Sequence, residues 1–279
     1  MRRATLGHRW EPPVGQAPKA CLQILHGTVD HSNAYHDLAT FLAGNGIAVH
    51  ATDMRGWGLS DGDELFFDDP QAFIDDAVGM DAAFRRDPRY ARVPNFILGK
   101  SIGGLVAARA VQQHPEVWKG GFIGLSPAYS LHREVQPTPI LRVLLRVLNA
   151  VSPKLRVKPV FDPKLIVSDA AALERWKSDP LVSRGWATAA YLANLLDQMD
   201  RLHSDCSKGV SEPLDIPALM LLGTGDRVVS MQGLEDTCKL FRRGSRVTTY
   251  EGGFHNLLEE PAHKDRVKRD ILAFIESQV

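Results

Sequence analysis

A serine flanked by glycines stands out in the sequence, within the segment Gly99-Lys100-Ser101-Ile102-Gly103. The apolar run Phe96–Leu98 precedes it, and the spacing of apolar residues over Ile102–Gln113 predicts that a helix follows. A sharp strand-to-helix turn exposes the serine hydroxyl, and the glycines prevent side-chain collisions with the neighbouring strand and helix. The pattern therefore predicts that Ser101 is a nucleophile. The alternative is a glycine-rich turn that holds an incidental serine.

A serine hydroxyl is a weak nucleophile, so it needs a base and a carboxylate that orients the base. After a nucleophile on a turn of this kind, the acid precedes the histidine along the chain. Asp226 follows the apolar run Leu219–Leu222, and His255 follows the predicted strand Arg246–Tyr250. Catalytic groups of a parallel sheet lie on loops at the carboxyl ends of strands. The order and placement predict the triad Ser101, Asp226 and His255, with a turn-forming Asp226 and an ordinary loop His255 as the alternatives.

The other histidines and aspartates considered for these two roles are less well placed. They lie at helix ends, inside a helix, before a strand or in a long insertion: His114, His132, His203, His263, Asp215 and Asp236.

Negative charge that develops on a substrate oxygen needs hydrogen-bond donors. The backbone N–H of Ile102, directly after the serine, is one predicted donor. The other is the N–H of Thr28, because the loop His26-Gly27-Thr28 follows the predicted strand Ala20–Leu25. A further loop, Asp53–Gly62, is rich in glycine and charge, and we interpret it as structural rather than catalytic.

Short apolar runs alternate with amphipathic stretches through most of the chain, which predicts an α/β fold with a mostly parallel sheet and helices on both faces. The predicted strands are Ala20–Leu25, Ile47–Thr52, Asn95–Leu98, Gly121–Leu125, Ala218–Leu222 and Arg246–Tyr250. The predicted helices are Ser32–Ala43, Phe73–Phe84, Ile102–Gln113, Met231–Phe241 and Ala262–Ile275.

The alternation stops between about residues 126 and 217, a gap far longer than the roughly 30 residues of a simple crossover. This gap is rich in proline and contains predicted helices near 140–151, 170–177 and 185–203. We therefore predict an inserted helical cap. The expected domains are a first core segment at 1–127, the cap at 128–190 and a second core segment at 191–279.

The cap segment Pro139–Val151 is apolar apart from Arg142, Arg146 and Asn149. As a helix it would carry both arginines on one edge. Two interpretations stay open: a helix that lies on a membrane surface or lines an acyl tunnel, and a cap helix packed on the core with one solvated edge.

The composition excludes several classes of protein. Lysine plus arginine and aspartate plus glutamate both number 33, so no basic field predicts nucleic-acid binding. The three cysteines form no pair spaced for a disulfide framework or zinc site, which favours a reducing compartment. No uncharged stretch of about 18 apolar residues and no signal peptide is recognised, so we expect a cytoplasmic protein without a spanning helix.

Five segments in order resemble the monoacylglycerol lipase and lysophospholipase branch of the α/β-hydrolase family. They are His26–Ser32, Asp53–Gly62, Gly99–Gly103, Gly223–Asp226 and Gly252–Leu258. The resemblance implies hydrolysis of single-chain lipid esters without a metal or cofactor. It also aligns Ser101, Asp226 and His255 with the triad, and Thr28 and Ile102 with the oxyanion donors.

The match has two departures beside the serine. Lys100 and Ile102 occupy positions where the family usually has a histidine or a small acid or amide, and then a methionine. Lys100 places a cation next to the nucleophile, where we expect it to influence the choice of substrate. A general carboxylesterase or a thioesterase is the alternative enzyme, and a non-catalytic ligand receptor of the same fold is the alternative of a different class.

Overall fold

A computed structural model describes residues 7–28, 30–157, 162–182, 186–207, 214–241 and 245–279. Among these residues the strands, in chain order, are β1 (Gly7–Trp10), β2 (Ala20–Leu25), β3 (Ile47–Thr52), β4 (Asn95–Lys100), β5 (Gly121–Leu125), β6 (Arg156–Val157), β7 (Ala187–Thr188), β8 (Ala218–Gly223) and β9 (Arg246–Tyr250). The helices are α1 (His36–Gly44), α2 (Pro70–Phe84), α3 (Ile102–Gln113), α4 (Pro139–Val151), α5 (Ala170–Ser178), α6 (Ala189–Ser207), α7 (Met231–Cys238) and α8 (Lys264–Glu276).

The main sheet has seven strands in the order β1-β3-β2-β4-β5-β8-β9. All neighbouring strands pair in parallel except β1, which pairs antiparallel with β3 at the edge. The short strands β6 and β7 form a separate antiparallel pair. The prediction of a mostly parallel sheet is therefore confirmed.

Helices cover both faces of this sheet, as predicted. Side chains alternate between the faces along each strand, so Ile97 of β4 packs into one hydrophobic cluster while Phe96 and Leu98 pack into the other. The first cluster contains residues of α2, α3 and α7, and the second contains residues of α1 and α8. Burial on both faces explains why these strands read as continuous apolar runs in the sequence.

Several predicted boundaries differ from the observed ones. The predicted helix Met231–Phe241 ends at Cys238, because Phe241 forms a parallel bridge with Leu214 instead of continuing the helix. The predicted helix Ser32–Ala43 begins as a 3₁₀ turn at Ser32–Tyr35. The edge strand β1 was not predicted; it has only four residues and alternates exposed with half-buried positions.

The insertion between β5 and β8 carries β6, β7 and helices α4, α5 and α6, and we call it the cap. Helix α4 packs on α6, and α6 also contacts α3 and α7 of the core. The predicted boundary between residues 190 and 191 lies in the first turn of α6 and stays a prediction. Part of the predicted helix at 185–203 lies outside the described residues, and the helix is observed at Ala189–Ser207.

Helix α4 turns its arginines toward α6 and leaves an apolar edge exposed. Arg142 bonds to Asp200, and Arg146 bonds to Asp197, both across to α6 at 2.6–2.9 Å. The arginine edge of α4 is therefore bound to α6, and the apolar edge of α4 faces outward. Ile140 and Val151 are 83% and 79% exposed, while Leu145 is buried. The arginine edge is partly solvated, since the Arg146 side chain is 51% exposed, and it also forms ion pairs with acidic side chains of α6 that spacing within α4 does not reveal.

Candidate active site

Ser101 occupies the turn between β4 and α3 with φ 52° and ψ −121°. A positive φ costs a non-glycine residue about 1–3 kcal/mol, so the surroundings must hold it in place. Its N–H donates to the Leu125 carbonyl at 3.1 Å. A Cβ at Gly99 would lie 2.3 Å from the Gly103 carbonyl oxygen, and one at Gly103 would lie 2.3 Å from the Leu25 oxygen. At these two positions, two residues before and two residues after the serine, only glycine fits.

His255 and Asp226 are in contact at the carboxyl ends of β9 and β8. The Nδ1 atom of His255 lies 2.8 Å from Oδ2 of Asp226, and both side chains are buried. The other carboxylate oxygen, Oδ1, accepts the N–H groups of Val228 and Val229 at 2.8 and 3.0 Å. Asp226 is thus held by the turn that follows it, so its proposed turn role and its contact with His255 coexist. The bond at Nδ1 leaves Nε2 of His255 as the nitrogen free for a proton transfer.

The loop that carries His255 is fastened to the cap. The N–H of Asn256 donates to the Ile166 carbonyl at 2.7 Å. The buried carboxylate of Glu260 accepts the N–H and the hydroxyl of Ser168 at 2.6 and 2.5 Å. We call these bonds the cap clasp. Sequence reasoning missed them, because Glu260 resembles an ordinary polar loop residue.

His26 positions the loop that contains Thr28. The Met54 N–H donates to Nε2 of His26 at 2.9 Å, so Nδ1 carries the proton and donates to the Gly27 carbonyl at 2.8 Å. Burial lowers the pKa of His26, which keeps the ring neutral and this tautomer in place. Thr28 is held from the other side, since its hydroxyl lies 2.5 Å from the Tyr191 hydroxyl of α6.

The second predicted donor, Ile102, is the first residue of α3. The first N–H groups of a helix have no partner within it, and the helix dipole favours negative charge there. The loop Asp53–Gly62 has the structural role that we expected. Asp53 accepts the N–H groups of Ser32 and Leu59 at 2.7 and 2.9 Å, which ties two loops together.

The Lys100 side chain is not a free cation beside the nucleophile. It is 6% exposed, and its Nζ donates to Oδ2 of Asp30 at 2.9 Å. Tyr35 donates its hydroxyl to the same oxygen at 3.0 Å. Burial alone would raise the pKa of Asp30, but the Lys100 ammonium, together with its hydrogen bond and the nearby His26 and His31, brings the pKa below its ordinary value. Sequence reasoning identified Lys100 and missed Asp30, although both lie within matched segments.

Two cavities lie near Ser101 and share three wall residues. The first, which we call the apolar chamber, encloses about 1140 Å³ of space that is partly open to solvent. Ser101, His255, Thr28 and Ile102 lie on its wall, and Asp226 lies behind His255. Most of the remaining wall is apolar and comes largely from the cap, including Leu145, Ile166, Leu192, Leu195, Leu196 and Met199.

The second cavity, the polar chamber, encloses about 580 Å³. Asp30, Lys100 and Trp176 line both chambers and form the partition between them. The other polar and charged residues of its wall are His31, Tyr35, Arg175, Asp179, Asn256 and Glu259. The cavity that holds Ser101 is thus mostly apolar, and the neighbouring cavity is lined by more polar and charged groups.

The chain has relatives among known proteins. Residues 16–262 match the family described as serine aminopeptidase, S33 (Hydrolase_4). Monoglyceride lipase from Homo sapiens is 30% identical over 254 residues, covering 90% of this chain and 80% of that protein.

Two solved structures share the fold at lower sequence identity. A soluble variant of monoglyceride lipase from Saccharomyces cerevisiae, in complex with a substrate analog, has a TM-score of 0.89 at 19% identity and covers 100% of this chain and 93% of that one. Monoacylglycerol lipase from Paleococcus ferrophilus has a TM-score of 0.85 at 22% identity, with 99% and 100% of the two chains covered. These likenesses confirm the predicted α/β-hydrolase fold.

Proposed function

This chain belongs to the serine aminopeptidase S33 (Hydrolase_4) family, and from that premise we propose that it hydrolyses single-chain lipid esters of the monoacylglycerol type. It is a carboxylic ester hydrolase of the monoglyceride lipase kind. The observation that carries the proposal is the apolar chamber, whose wall holds a strained serine and a carboxylate-bound histidine.

The proposed reaction uses Ser101, His255 and Asp226 in turn. His255 takes the proton of the Ser101 hydroxyl while the serine oxygen attacks the ester carbonyl. The resulting tetrahedral intermediate collapses, the bond from the carbonyl carbon to the alcohol oxygen breaks, and His255 gives its proton to that oxygen. Water that His255 deprotonates then attacks the carbonyl carbon of the acyl-enzyme. The bond from that carbon to the Ser101 oxygen breaks, His255 returns the proton to the serine oxygen, and the fatty acid leaves. Asp226 orients the ring and stabilises its positive charge in both steps.

The negative charge of the two tetrahedral intermediates needs fixed donors at the serine. The N–H of Ile102 at the start of α3 and the N–H of Thr28 are the proposed pair. The bonds that hold Thr28 support this role, because they fix the loop before substrate arrives: Tyr191 bonds its hydroxyl and Trp57 donates to its carbonyl. Fixed donors need no reorganisation during the reaction, which is why they lower the barrier.

The two chambers support a division of the substrate at the scissile bond. An acyl chain suits the apolar chamber, since each buried methylene contributes about 0.8 kcal/mol of transfer free energy. The alcohol suits the polar chamber, where hydroxyl groups have donors and acceptors on the wall. No step of this scheme needs a metal or an organic cofactor.

We also propose that the outward face of α4 brings the enzyme to lipid surfaces. Ile140, Val143, Val147 and Val151 are 52–83% exposed, and the arginines of the same helix are bound to α6. Among the described residues, no helix is long and apolar enough to cross a bilayer. The contact that we propose through this face is that of an interfacial helix lying on the lipid surface.

A cosedimentation assay with phosphatidylcholine vesicles tests this contact. We expect the double variant Ile140→Ser/Val151→Ser to bind less than the unchanged protein. Val14→Ser, which changes an exposed residue far from the cap in sequence, should bind as the unchanged protein does. Equal binding by all three proteins would exclude the α4 face.

The three cysteines, Cys21, Cys206 and Cys238, are all unpaired. Burial raises the pKa of Cys21 to about 12, so this thiol is unreactive at neutral pH. Free cysteines support work in a reducing compartment, and we propose the cytoplasm, with peripheral contact at membranes.

The ester specificity is tested with one panel of substrates. Monoacylglycerols with acyl chains from four to sixteen carbons are compared with short carboxylesters, acyl-thioesters and aminoacyl anilides, using the unchanged protein and Ser101→Ala. We expect the highest kcat/KM with long-chain monoacylglycerols, and loss of turnover in the variant. Turnover of short esters alone would leave a general carboxylesterase, and turnover of thioesters or anilides alone would identify a thioesterase or an aminopeptidase. Binding of these compounds without turnover would identify a receptor.

A further inference from the structure

The partition between the chambers holds a charge next to the nucleophile. Lys100 directly precedes Ser101 in the chain and, with Asp30 and Trp176, lines both chambers. Because the Lys100–Asp30 pair lines the same cavity as Ser101, an alcohol group on this side of Ser101 lies beside the pair.

The cations on the wall of the polar chamber are each bound to a carboxylate. Lys100 bonds to Asp30 at 2.9 Å, and Arg175 bonds to Glu259 at 3.1 Å. A third carboxylate, Asp179, lies 3.0 Å from Nε2 of His31. The two permanent cations thus face three carboxylates, and no excess positive charge is available for an anion.

Asp30 is the group that neutralises the buried lysine. It is 6% exposed and accepts from Lys100, from the Tyr35 hydroxyl and from the N–H of His31. A phosphate that reached the Lys100 ammonium would lie close to this carboxylate as well. Attraction by Lys100 and repulsion by Asp30 would then oppose each other at similar distances in a poorly solvated site.

We infer that the Lys100–Asp30 pair restricts this enzyme to single-chain esters of uncharged alcohols and disfavours esters whose head group is an anionic phosphate. The inference rests on the proposed ester hydrolysis and decides between the two substrate classes of the resembling branch, monoacylglycerols and lysophospholipids. A polyol hydroxyl donates to a carboxylate and accepts from an ammonium at once, so the intact pair serves a neutral alcohol well.

Esters that share one acyl chain isolate the head group. We propose to compare 1-lauroylglycerol with 1-lauroyl lysophosphatidate, both as monomers at pH 8, for the unchanged protein and for Asp30→Asn. Like-charge juxtaposition discriminates strongly, so the unchanged protein should prefer the glyceride by about 100-fold in kcat/KM. Asp30→Asn leaves Lys100 unopposed and should reduce that preference about tenfold or more. Asp236→Asn, the same change at a half-buried position of α7 that lines neither chamber, should leave the preference unchanged.

A double variant tests whether any disturbance of the partition, rather than the loss of the Asp30 charge, changes the preference. Asp30→Asn/Lys100→Gln removes both charges and should not show the gain on lysophosphatidate that Asp30→Asn shows. Circular dichroism melts report whether each variant is folded. If a variant does not fold, the preference of the unchanged protein for the glyceride over the lysophosphatidate decides the test.

The outcomes separate this inference from the proposed function. Equal turnover of both lauroyl esters by the unchanged protein, or an unchanged preference in folded Asp30→Asn, would overturn the inference alone. Absence of turnover with every lauroyl ester would overturn the proposed function, and the inference with it.

Discussion

The core and the cap hold their parts of the site by different means. In the core, backbone groups fix the reacting side chains: Asp226 accepts two N–H groups of its own turn, and the Ser101 N–H is bound to Leu125. In the cap, half-exposed ion pairs join α4 to α6, and apolar side chains form the chamber wall. The difference teaches that the core fixes the reacting groups, while the cap shapes the apolar chamber and contacts the core loops through Tyr191, Ile166 and Ser168.

The largest effect is expected in the core, at Asp226. Replacing it with asparagine keeps the shape but removes the charge that orients and stabilises His255, so kcat should fall by about 10⁴. Steady-state kinetics with a soluble short-chain ester measure the change. The matched variant Asp236→Asn, at a half-buried position of α7 outside the site, should retain full kcat. A loss below about tenfold in Asp226→Asn would contradict the assigned role.

A cap residue should alter specificity without altering chemistry. Leu196 of α6 is buried on the wall of the apolar chamber, so Leu196→Trp should shorten the space for an acyl chain. We expect kcat/KM to fall about tenfold or more for esters of twelve to sixteen carbons and to stay within a few-fold for butyryl esters. Val14→Trp, at an exposed position, is the control. Equal losses at all chain lengths would mean that the cap also positions the reacting groups.

The cap clasp is where the two regions meet, and Glu260→Gln tests it. The amide supplies one acceptor in place of two, so the bonded groups of Ser168 compete for it. Leaving a buried donor unpaired costs about 1–3 kcal/mol. We expect a lower melting temperature and a fall in kcat of up to about tenfold with little change in KM, because the His255 loop loses its anchor. Glu276→Gln, on α8, should change neither quantity.

Buried histidines of the core should make its stability depend on pH. Burial lowers the pKa of both His26 and His50. Below about pH 6.5 the unfolded chain binds protons at these residues while the folded chain does not, so the unfolding free energy falls as the pH drops. The expected slope is about 1.4 kcal/mol per pH unit for each histidine. Urea unfolding between pH 7.5 and 5.5 measures it, and His50→Gln should reduce the slope. A stability that rises toward pH 5.5 would contradict this account.

The smallest effect is expected at the ion pairs of the cap. Arg146 is 51% exposed in its side chain and bonds to Asp197 and Asp200. Exposed pairs contribute about 0.2–1 kcal/mol, so Arg146→Gln should lower the unfolding free energy by no more than that. Addition of 0.5 M salt should reduce the difference between the two proteins. A larger loss would show that α4 is held mainly by charge and not by its buried Leu145.

Much of the fold was predictable because local pattern reports local structure. The strands at Ile47–Thr52, Gly121–Leu125 and Arg246–Tyr250 have the predicted bounds, since each is a short run of strand-forming residues next to a turn. The helix Ile102–Gln113 likewise begins and ends as predicted. The edge strand β1 was missed, because a four-residue strand that is half exposed has little pattern to detect.

The sequence by itself determined the order and type of the site residues: a serine between glycines, then Asp226 and His255, each after its own strand. Each of these features is a pattern of a few neighbouring residues, and the spacing of neighbouring residues controls local conformation. Only the tertiary structure decided that Lys100 is neutralised by Asp30, that Arg146 bonds to α6 and that Glu260 holds Ser168. These partners lie 51–92 residues apart. Strand order and cap packing bring these partners together. A local sequence pattern does not show which distant side chain a charged residue will contact.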